Sequence, residues 1–256
     1  MTSNLFHAGR AGSNPPVVFL HGFGGSHDTW QAFPEKLAIA NRCIFYDLPG
    51  HAGSLDFPGN FSPRRAGEAI LADLDAQNVK EFHLVGHSMG GAICCLIAMA
   101  APERVASLTL VAPGGFGPEI NADLLRRFAT CSSVEELRDC LKLMSGPGHD
   151  PEKEALEALS KHRKIPGQTE KLQEIVAIIT RDGKQGALPK ANLENFDFPV
   201  SIVWGTDDDV LPFSQTNDLP ASFRFFPIEG AGHMLPEEAP EIIADVIRQT
   251  VSAASP

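Results

Sequence analysis

Glu81-Phe82-His83-Leu84-Val85-Gly86-His87-Ser88-Met89-Gly90-Gly91-Ala92 is the stretch from which the fold follows. Its first five residues read as a short buried strand. Met89 to Ala101 is rich in Ala, Ile, Leu and Cys, with no breaker until Pro102, and reads as a buried helix. Between them Gly86-His87-Ser88-Met89-Gly90 makes a G-x-S-x-G pattern at a strand-to-helix junction. A turn that sharp forces the serine into strained backbone angles and leaves no room for side chains beside it, so glycine is needed at Gly86 and Gly90. Ser88 is thereby a candidate nucleophile. A hydroxyl is a poor nucleophile near neutral pH, so a base within hydrogen-bond reach and a carboxylate to orient that base are expected downstream.

Outward from this junction, strand-like and helix-like runs alternate, the pattern of a mostly parallel sheet flanked by helices. Val17 to Leu20, Cys43 to Tyr46, Phe82 to Val85, Ser107 to Val111, Val200 to Trp204 and Phe223 to Pro227 are the predicted strands. Each is short, apolar or β-branched, as parallel strands buried on both faces must be. Functional loops are expected after their C-terminal ends. The unusual sequences occur there: His21-Gly22-Phe23-Gly24-Gly25, Asp47-Leu48-Pro49-Gly50-His51, Ala112-Pro113-Gly114-Gly115, Gly205-Thr206-Asp207-Asp208 and Gly230-Ala231-Gly232-His233. The strand signal disappears over residues 116–193, where helical patterns take over. A capping box is expected from Ser132 to Glu135, ahead of Leu137, Leu141 and Leu143. Pro147, Pro151, Pro166 and Pro189 divide this region into several short helices. The expected organisation is a core of residues 1–115 and 194–256 with a helical cap, 116–193, inserted over the strand ends. The tail from Ser252 to Pro256 is expected to be loose.

Two of these loops carry the groups that Ser88 needs. Trp204-Gly205-Thr206-Asp207-Asp208-Asp209-Val210-Leu211-Pro212 ends a strand in a turn crowded with carboxylates. It reads either as an acidic surface turn with a helix-capping Asp or as a buried Asp facing an imidazole. His233 follows the last strand between glycines that free the backbone to aim a ring inward, and reads either as a surface residue or as the base. In chain order the nucleophile comes first, the acid second and the base last.

With these motifs the chain resembles the α/β-hydrolase superfamily over nearly its whole length. The resemblance implies an α/β-hydrolase fold and a Ser-His-Asp triad. The superfamily's Gly-x-x-Asp turn, with Pro four residues later, is matched by Gly205 and Pro212 and selects Asp208 over Asp207 and Asp209. The implied triad is Ser88, Asp208 and His233, and the implied oxyanion hole is the backbone N–H groups of Phe23 and Met89. His21, His51 and His87 are expected to be structural, and Trp30 to pack beneath the loop that carries Phe23. Among members, the chain is similar to the hydrolase-like domain of acetoin dehydrogenase acyltransferase components through Ala112 to Asn121. Those components carry an N-terminal lipoyl domain for which 256 residues leave no space, so acyl transfer within a multienzyme complex is not expected. Pro113-Gly114-Gly115 also resembles meta-cleavage-product hydrolases, which cut a carbon–carbon bond.

Composition narrows the remaining classes. Hydrophobic residues at 43% and charged residues at 21% fit a globular chain able to bury a large core. With 21 basic and 32 acidic residues the net charge is −11, which repels phosphate backbones and anionic membranes. No nucleic-acid partner and no membrane partner are expected. The five cysteines, Cys43, Cys94, Cys95, Cys131 and Cys140, are odd in number and lack C-x-x-C spacing, so free thiols in a cytoplasmic protein are expected. Cys94 and Cys95 read as core filler. No basic-then-apolar leader opens the chain and no apolar run reaches membrane length. No cofactor and no metal are implied. Arg126, Arg127, Lys161, Arg163 and Lys164 read as solvated helix faces or as a local positive patch.

The expected activity is hydrolysis of a small, largely hydrophobic acyl substrate, an ester or lactone. Carbon–carbon cleavage of a vinylogous diketone and a non-enzymatic ligand receptor on the same scaffold are the alternatives. The oligomeric state stays open.

Overall fold

The computed structural model describes residues 5–254. Seven strands form one sheet: β1 (His7–Arg10), β2 (Ser13–Leu20), β3 (Asn41–Tyr46), β4 (Phe82–His87), β5 (Val105–Val111), β6 (Val200–Gly205) and β7 (Arg224–Ile228), in the spatial order β1-β3-β2-β4-β5-β6-β7. All neighbours run parallel except β1, which pairs antiparallel with β3. Six strands lie where the apolar runs predict them. β1 is the addition: His7-Ala8-Gly9-Arg10 has no apolar run because it is a partly exposed edge strand.

Period-two alternation divides the buried side chains between two cores. Val18, Leu20, Ile44, Tyr46, Leu84, Leu108, Leu110, Ile202 and Trp204 face one side. There they meet α2 (Pro63–Ala76) and α3 (Met89–Ala100) through residues such as Ile70, Leu74, Ile93 and Ile97. Val17, Phe19, Cys43, Phe45, Val85, Val111 and Val203 face the other side, against Phe33 and Leu37 of α1 (Phe33–Leu37) and Ile243 and Ile247 of the last helix. Each fully buried aliphatic or aromatic side chain contributes roughly 1.5–3 kcal/mol. Cys94 and Cys95 are fully buried in the first core, as filler. All five cysteines are free and buried.

Between Val111 and Val200 the chain forms α4 (Ala122–Thr130), α5 (Val134–Met144), α6 (Lys153–Arg163), α7 (Gln168–Ile179) and α8 (Lys190–Leu193). Pro147, Pro151, Pro166 and Pro189 all fall outside these helices, as loss of a backbone donor requires. The capping box sits one residue later than expected. Ser133 Oγ accepts from Glu136 N (3.2 Å) and Glu136 Oε2 accepts from Ser133 N (3.0 Å). Ser132-x-x-Glu135 and Ser133-x-x-Glu136 fit the spacing equally, so spacing alone does not choose the register. After β7, α9 (Leu235–Glu238) and α10 (Pro240–Ala253) complete the chain. Ser252 and Ala253 are therefore helical rather than loose, and Ser255 and Pro256 lie outside the described residues. Among the described residues no helix is long and apolar enough to cross a membrane.

The strand order reverses at β2, which lies between β3 and β4. A crevice opens at such a reversal, and it sets the loop after β2 beside the turn after β4. Packing there is tight. A Cβ at Gly90 would lie 2.4 Å from the Leu20 carbonyl oxygen and 2.5 Å from that of His21. Both are backbone atoms that cannot move aside. Gly90→Ala is expected to cost about 3 kcal/mol or more, read as a lower urea midpoint; an unchanged midpoint would show that the junction has slack.

Candidate active site

The turn between β4 and α3 holds Ser88 at φ 52°, ψ −117°. This positive φ costs a residue with a Cβ about 1–3 kcal/mol. Its neighbours hold it there: Ser88 N donates to Val111 O (3.0 Å), and Ser88 O accepts from Gly114 N (2.9 Å) and Ala92 N (3.2 Å). A Cβ at Gly86 would meet Gly90 O at 2.6 Å and Cys94 Sγ at 2.7 Å, so both predicted glycine positions are sterically required.

Ser88 Oγ lies 2.9 Å from His233 Nε2, and His233 Nδ1 lies 2.8 Å from Asp208 Oδ2. Of the three adjacent acids, Asp208 alone is buried. Its Oδ1 accepts from Val210 N and Leu211 N, each at 2.8 Å, which leaves Oδ2 for the imidazole. A carboxylate acceptor at Nδ1 fixes the proton on that nitrogen and leaves Nε2 free to accept from the serine hydroxyl. The three side chains come from the ends of β4, β6 and β7, brought together across 145 residues of sequence.

The loop after β2 is fixed by two uncharged histidines. Leu48 N donates to His21 Nε2 (3.0 Å), so the ring proton sits on Nδ1 and donates to Gly22 O (2.7 Å). Gly24 N donates to His51 Nε2 (3.1 Å), and His51 Nδ1 donates to Pro49 O (3.2 Å). These contacts and the Gly25 N to Gly22 O bond (3.2 Å) hold the chain on both sides of Phe23. Met89 opens α3, so its N–H has no acceptor within the helix. His87 Nε2 donates to the His233 carbonyl (2.9 Å) and supports that loop from below. Burial pushes His21 down to about 4, and His51 and His87 to about 3. Trp30 packs on Phe19 and Phe33 in the second core and does not line the site.

A cavity of about 490 Å³ opens onto Ser88 and His233, walled by Phe23, Leu125, Phe128, Met144 and Leu159. Residues of α4, α5 and α6 line it, and α5, α6 and α7 are tied to the sheet side by contacts for which the sequence carries no motif. Gln168 donates to Gly50 O (2.9 Å) and accepts from Ala52 N (2.7 Å). His162 Nε2 donates to Asp28 Oδ2 (2.8 Å). The end of α5 joins the His233 loop directly. His233 N donates to Met144 O (2.7 Å), and Glu238 Oε2 accepts from both Gly146 N and Gly232 N at 2.8 Å. Glu238 has the one available signal, a carboxylate five residues after the histidine, but no periodicity marks it. Arg163 departs from the solvated face expected of it: it is buried, stacked over Phe128 at 4.8 Å.

The alpha/beta hydrolase family model matches residues 17–246. The chain belongs to the alpha/beta hydrolase family. It is 32% identical over 235 residues to the dihydrolipoyllysine-residue acetyltransferase component of the acetoin cleaving system of Cupriavidus necator, which covers 89% of this chain and 61% of that protein. A monoacylglycerol lipase of Xenopus laevis is 27% identical, over 96% of this chain and 77% of its own. Among solved structures, the meta-cleavage product hydrolase from Pseudomonas fluorescens superposes with a TM-score of 0.82 at 18% identity, covering 99% and 97% of the two chains. That likeness is one of fold.

Two expectations follow from this geometry. Removing the Glu238 carboxylate strands two backbone donors, so Glu238→Ala is expected to lose about 2–4 kcal/mol in urea unfolding; a loss under half of that would mean the donors find other partners. His83, also buried, is pushed down to about 4. The unfolded chain protonates His21, His51, His83 and His87 near pH 6.5, whereas the folded chain resists until about pH 4 to 3. Their contribution is full above pH 6.5 and is lost as pH falls, by about 1.4 kcal/mol per pH unit for each ring. Unfolding free energies between pH 8 and 4.5 measure the slope, and a flat profile would contradict four neutral rings.

Proposed function

We propose that this family member is a serine hydrolase of small, largely hydrophobic esters or lactones, acting through an acyl-enzyme. The observation that carries the reading is the continuous hydrogen-bonded chain from Ser88 through His233 to Asp208, opening onto a cavity with apolar walls. His233 Nε2 takes the hydroxyl proton as Ser88 Oγ attacks the acyl carbon. Asp208, fixed through Oδ1, stabilises the imidazolium. The N–H groups of Phe23 and Met89 receive the developing oxyanion, fixed donors that need no reorganisation during reaction. The imidazolium then protonates the leaving alcohol, and water activated by His233 releases the acid. Residues 116–193 act as the cap that excludes bulk water and shapes the acyl pocket.

A second reading, transfer of the acyl group to a thiol instead of water, draws support from the 32% identity to an acetyltransferase component. Adding dihydrolipoamide during turnover distinguishes the two, because an acyl thioester forms only under transfer.

Ser88→Ala is expected to lower turnover of p-nitrophenyl butyrate at least about 10³-fold and to abolish labelling by a fluorophosphonate. Undiminished turnover by the folded variant would reject the reading. Asp208→Asn is expected to reduce kcat about 10⁴-fold by favouring the wrong imidazole tautomer, whereas Asp207→Asn and Asp209→Asn, both at exposed positions, stay within a few-fold of the parent. Equal losses at all three positions would remove Asp208 from its role.

A further inference from the structure

The stretch Ala112 to Asn121, on which the similarity to the acyltransferase components rests, takes no direct part in the proposed chemistry. It leaves β5 through a strained residue, Ala112 at φ 40°, and its residues bond two of the loops that carry the triad. At its start, Gly114 N donates to Ser88 O (2.9 Å). At its end, Asn121 N donates to Val210 O (2.9 Å) and Asn121 Nδ2 to Asp209 O (3.0 Å). Between these points the Phe116 ring meets Trp204 edge-on at 6.2 Å, and Trp204 Nε1 donates to Leu211 O (3.1 Å). Val210 and Leu211 are the residues whose N–H groups hold Asp208 Oδ1. The stretch is therefore a strut between the nucleophile turn and the acid turn.

A side chain from the return between α7 and α8 clamps this strut. Gln185 Oε1 accepts from Gly115 N (3.0 Å), and its Nε2 donates to Glu119 O (3.2 Å) and Gln215 Oε1 (3.3 Å). Gly115 offers only a donor there and Glu119 only an acceptor, which fixes the orientation of the amide. Its oxygen lies close to the nucleophile's own peptide: a Cβ at Gly114 would be 3.2 Å from Gln185 Oε1 and 3.6 Å from Ser88 O. The backbone around Gln185 is anchored separately, by Gln185 N to Pro118 O (3.0 Å) and Leu188 N to Gly115 O (2.7 Å), and Glu119 O has a second donor in Gln215 Nε2 (2.7 Å). Removing the side chain therefore leaves the segment in place and strands the Gly115 N–H. We propose that Gln185 is a positioning residue for the triad, fixing through Gly115 the strut that sets Ser88 against Asp208. The inference rests on the serine-hydrolase reading and goes beyond it. Gln185 does not line the cavity, so it acts on the placement of the reacting groups and not on substrate binding, and small misplacements of such groups cost rate heavily.

The test compares Gln185→Leu, which has no polar atoms, with Gln185→Glu, which keeps an oxygen for Gly115 N. Three readouts are taken: kcat and KM for p-nitrophenyl butyrate, the urea midpoint, and the low-field proton resonance of the His233 Nδ1–H, which reports its bond to Asp208. Gln185→Leu is expected to lower kcat about ten-fold or more, to keep KM within about two-fold of the parent, to unfold near the parental midpoint and to shift or broaden the low-field resonance. Gln185→Glu is expected to restore most of the kcat and the resonance. If the leucine variant does not fold, Gln185→Ala is read in its place. Parental kcat and an unmoved resonance in the leucine variant overturn the proposal. So does a loss of kcat that follows the urea midpoint downward and that the glutamate variant does not relieve, because that is the mark of a purely structural residue. A wild-type enzyme that cleaves no ester overturns the hydrolase reading instead, and the resonance of Gln185→Leu against the parent then decides the strut by itself.

Discussion

Everything at the site depends on one backbone constraint, the positive φ of Ser88. That conformation is unfavourable for a residue with a side chain, and it persists because the surrounding backbone leaves no other path. Val111, Ala92 and Gly114 bond the Ser88 peptide from three directions, while Gly86 and Gly90 let β2 and α3 close to within contact of the turn. The strain is thus borne by the parallel sheet. In exchange, the hydroxyl leaves the plane of the strand and faces the crevice between the β2 and β4 loops, where an imidazole from the far end of the chain can meet it.

The polar groups around that hydroxyl divide into two kinds. His21, His51 and His87 are buried rings whose tautomers are fixed by backbone donors and acceptors, and their low proton affinity keeps them as uncharged struts. His233 differs in having a carboxylate on one nitrogen and a hydroxyl on the other. Four histidines in one neighbourhood therefore do different work because of what each ring nitrogen touches, and no property of the residue type separates them.

Much of this was legible in the residues themselves. Parallel strands buried on both faces must be continuous apolar runs, so β2 to β6 could be read directly; β7 is a largely exposed edge strand that its Phe225-Phe226 pair nonetheless marked, and G-x-S-x-G at a strand-to-helix junction located the turn. The resemblance to the superfamily's Gly-x-x-Asp turn, matched at Gly205 and Pro212, pointed to Asp208 among three adjacent acids. The half-exposed edge strand at His7–Arg10 left no such trace, because an antiparallel edge needs no apolar run. Spacing could not choose between two equivalent capping boxes at Ser132 and Ser133. Gln168, His162 and Glu238 act through one or two hydrogen bonds each, to backbone or side chains up to 134 positions away, and such pairings have no periodicity. Arg163 illustrates the opposite failure: a basic residue on a helix reads as solvated, yet the Phe128 ring and carbonyl give it a buried seat.

The pair of hydrogen bonds accepted by Glu238 has a mechanical consequence. One carboxylate oxygen grips the turn after α5 and the loop bearing His233 at the same time, and the histidine's own amide holds the last carbonyl of α5. The end of α5 and the loop that carries the imidazole are therefore cross-linked at residues 144–146 by three hydrogen bonds. Any helical segment grafted in place of α5 would have to supply the same carbonyl and amide at this corner to keep the imidazole where it lies.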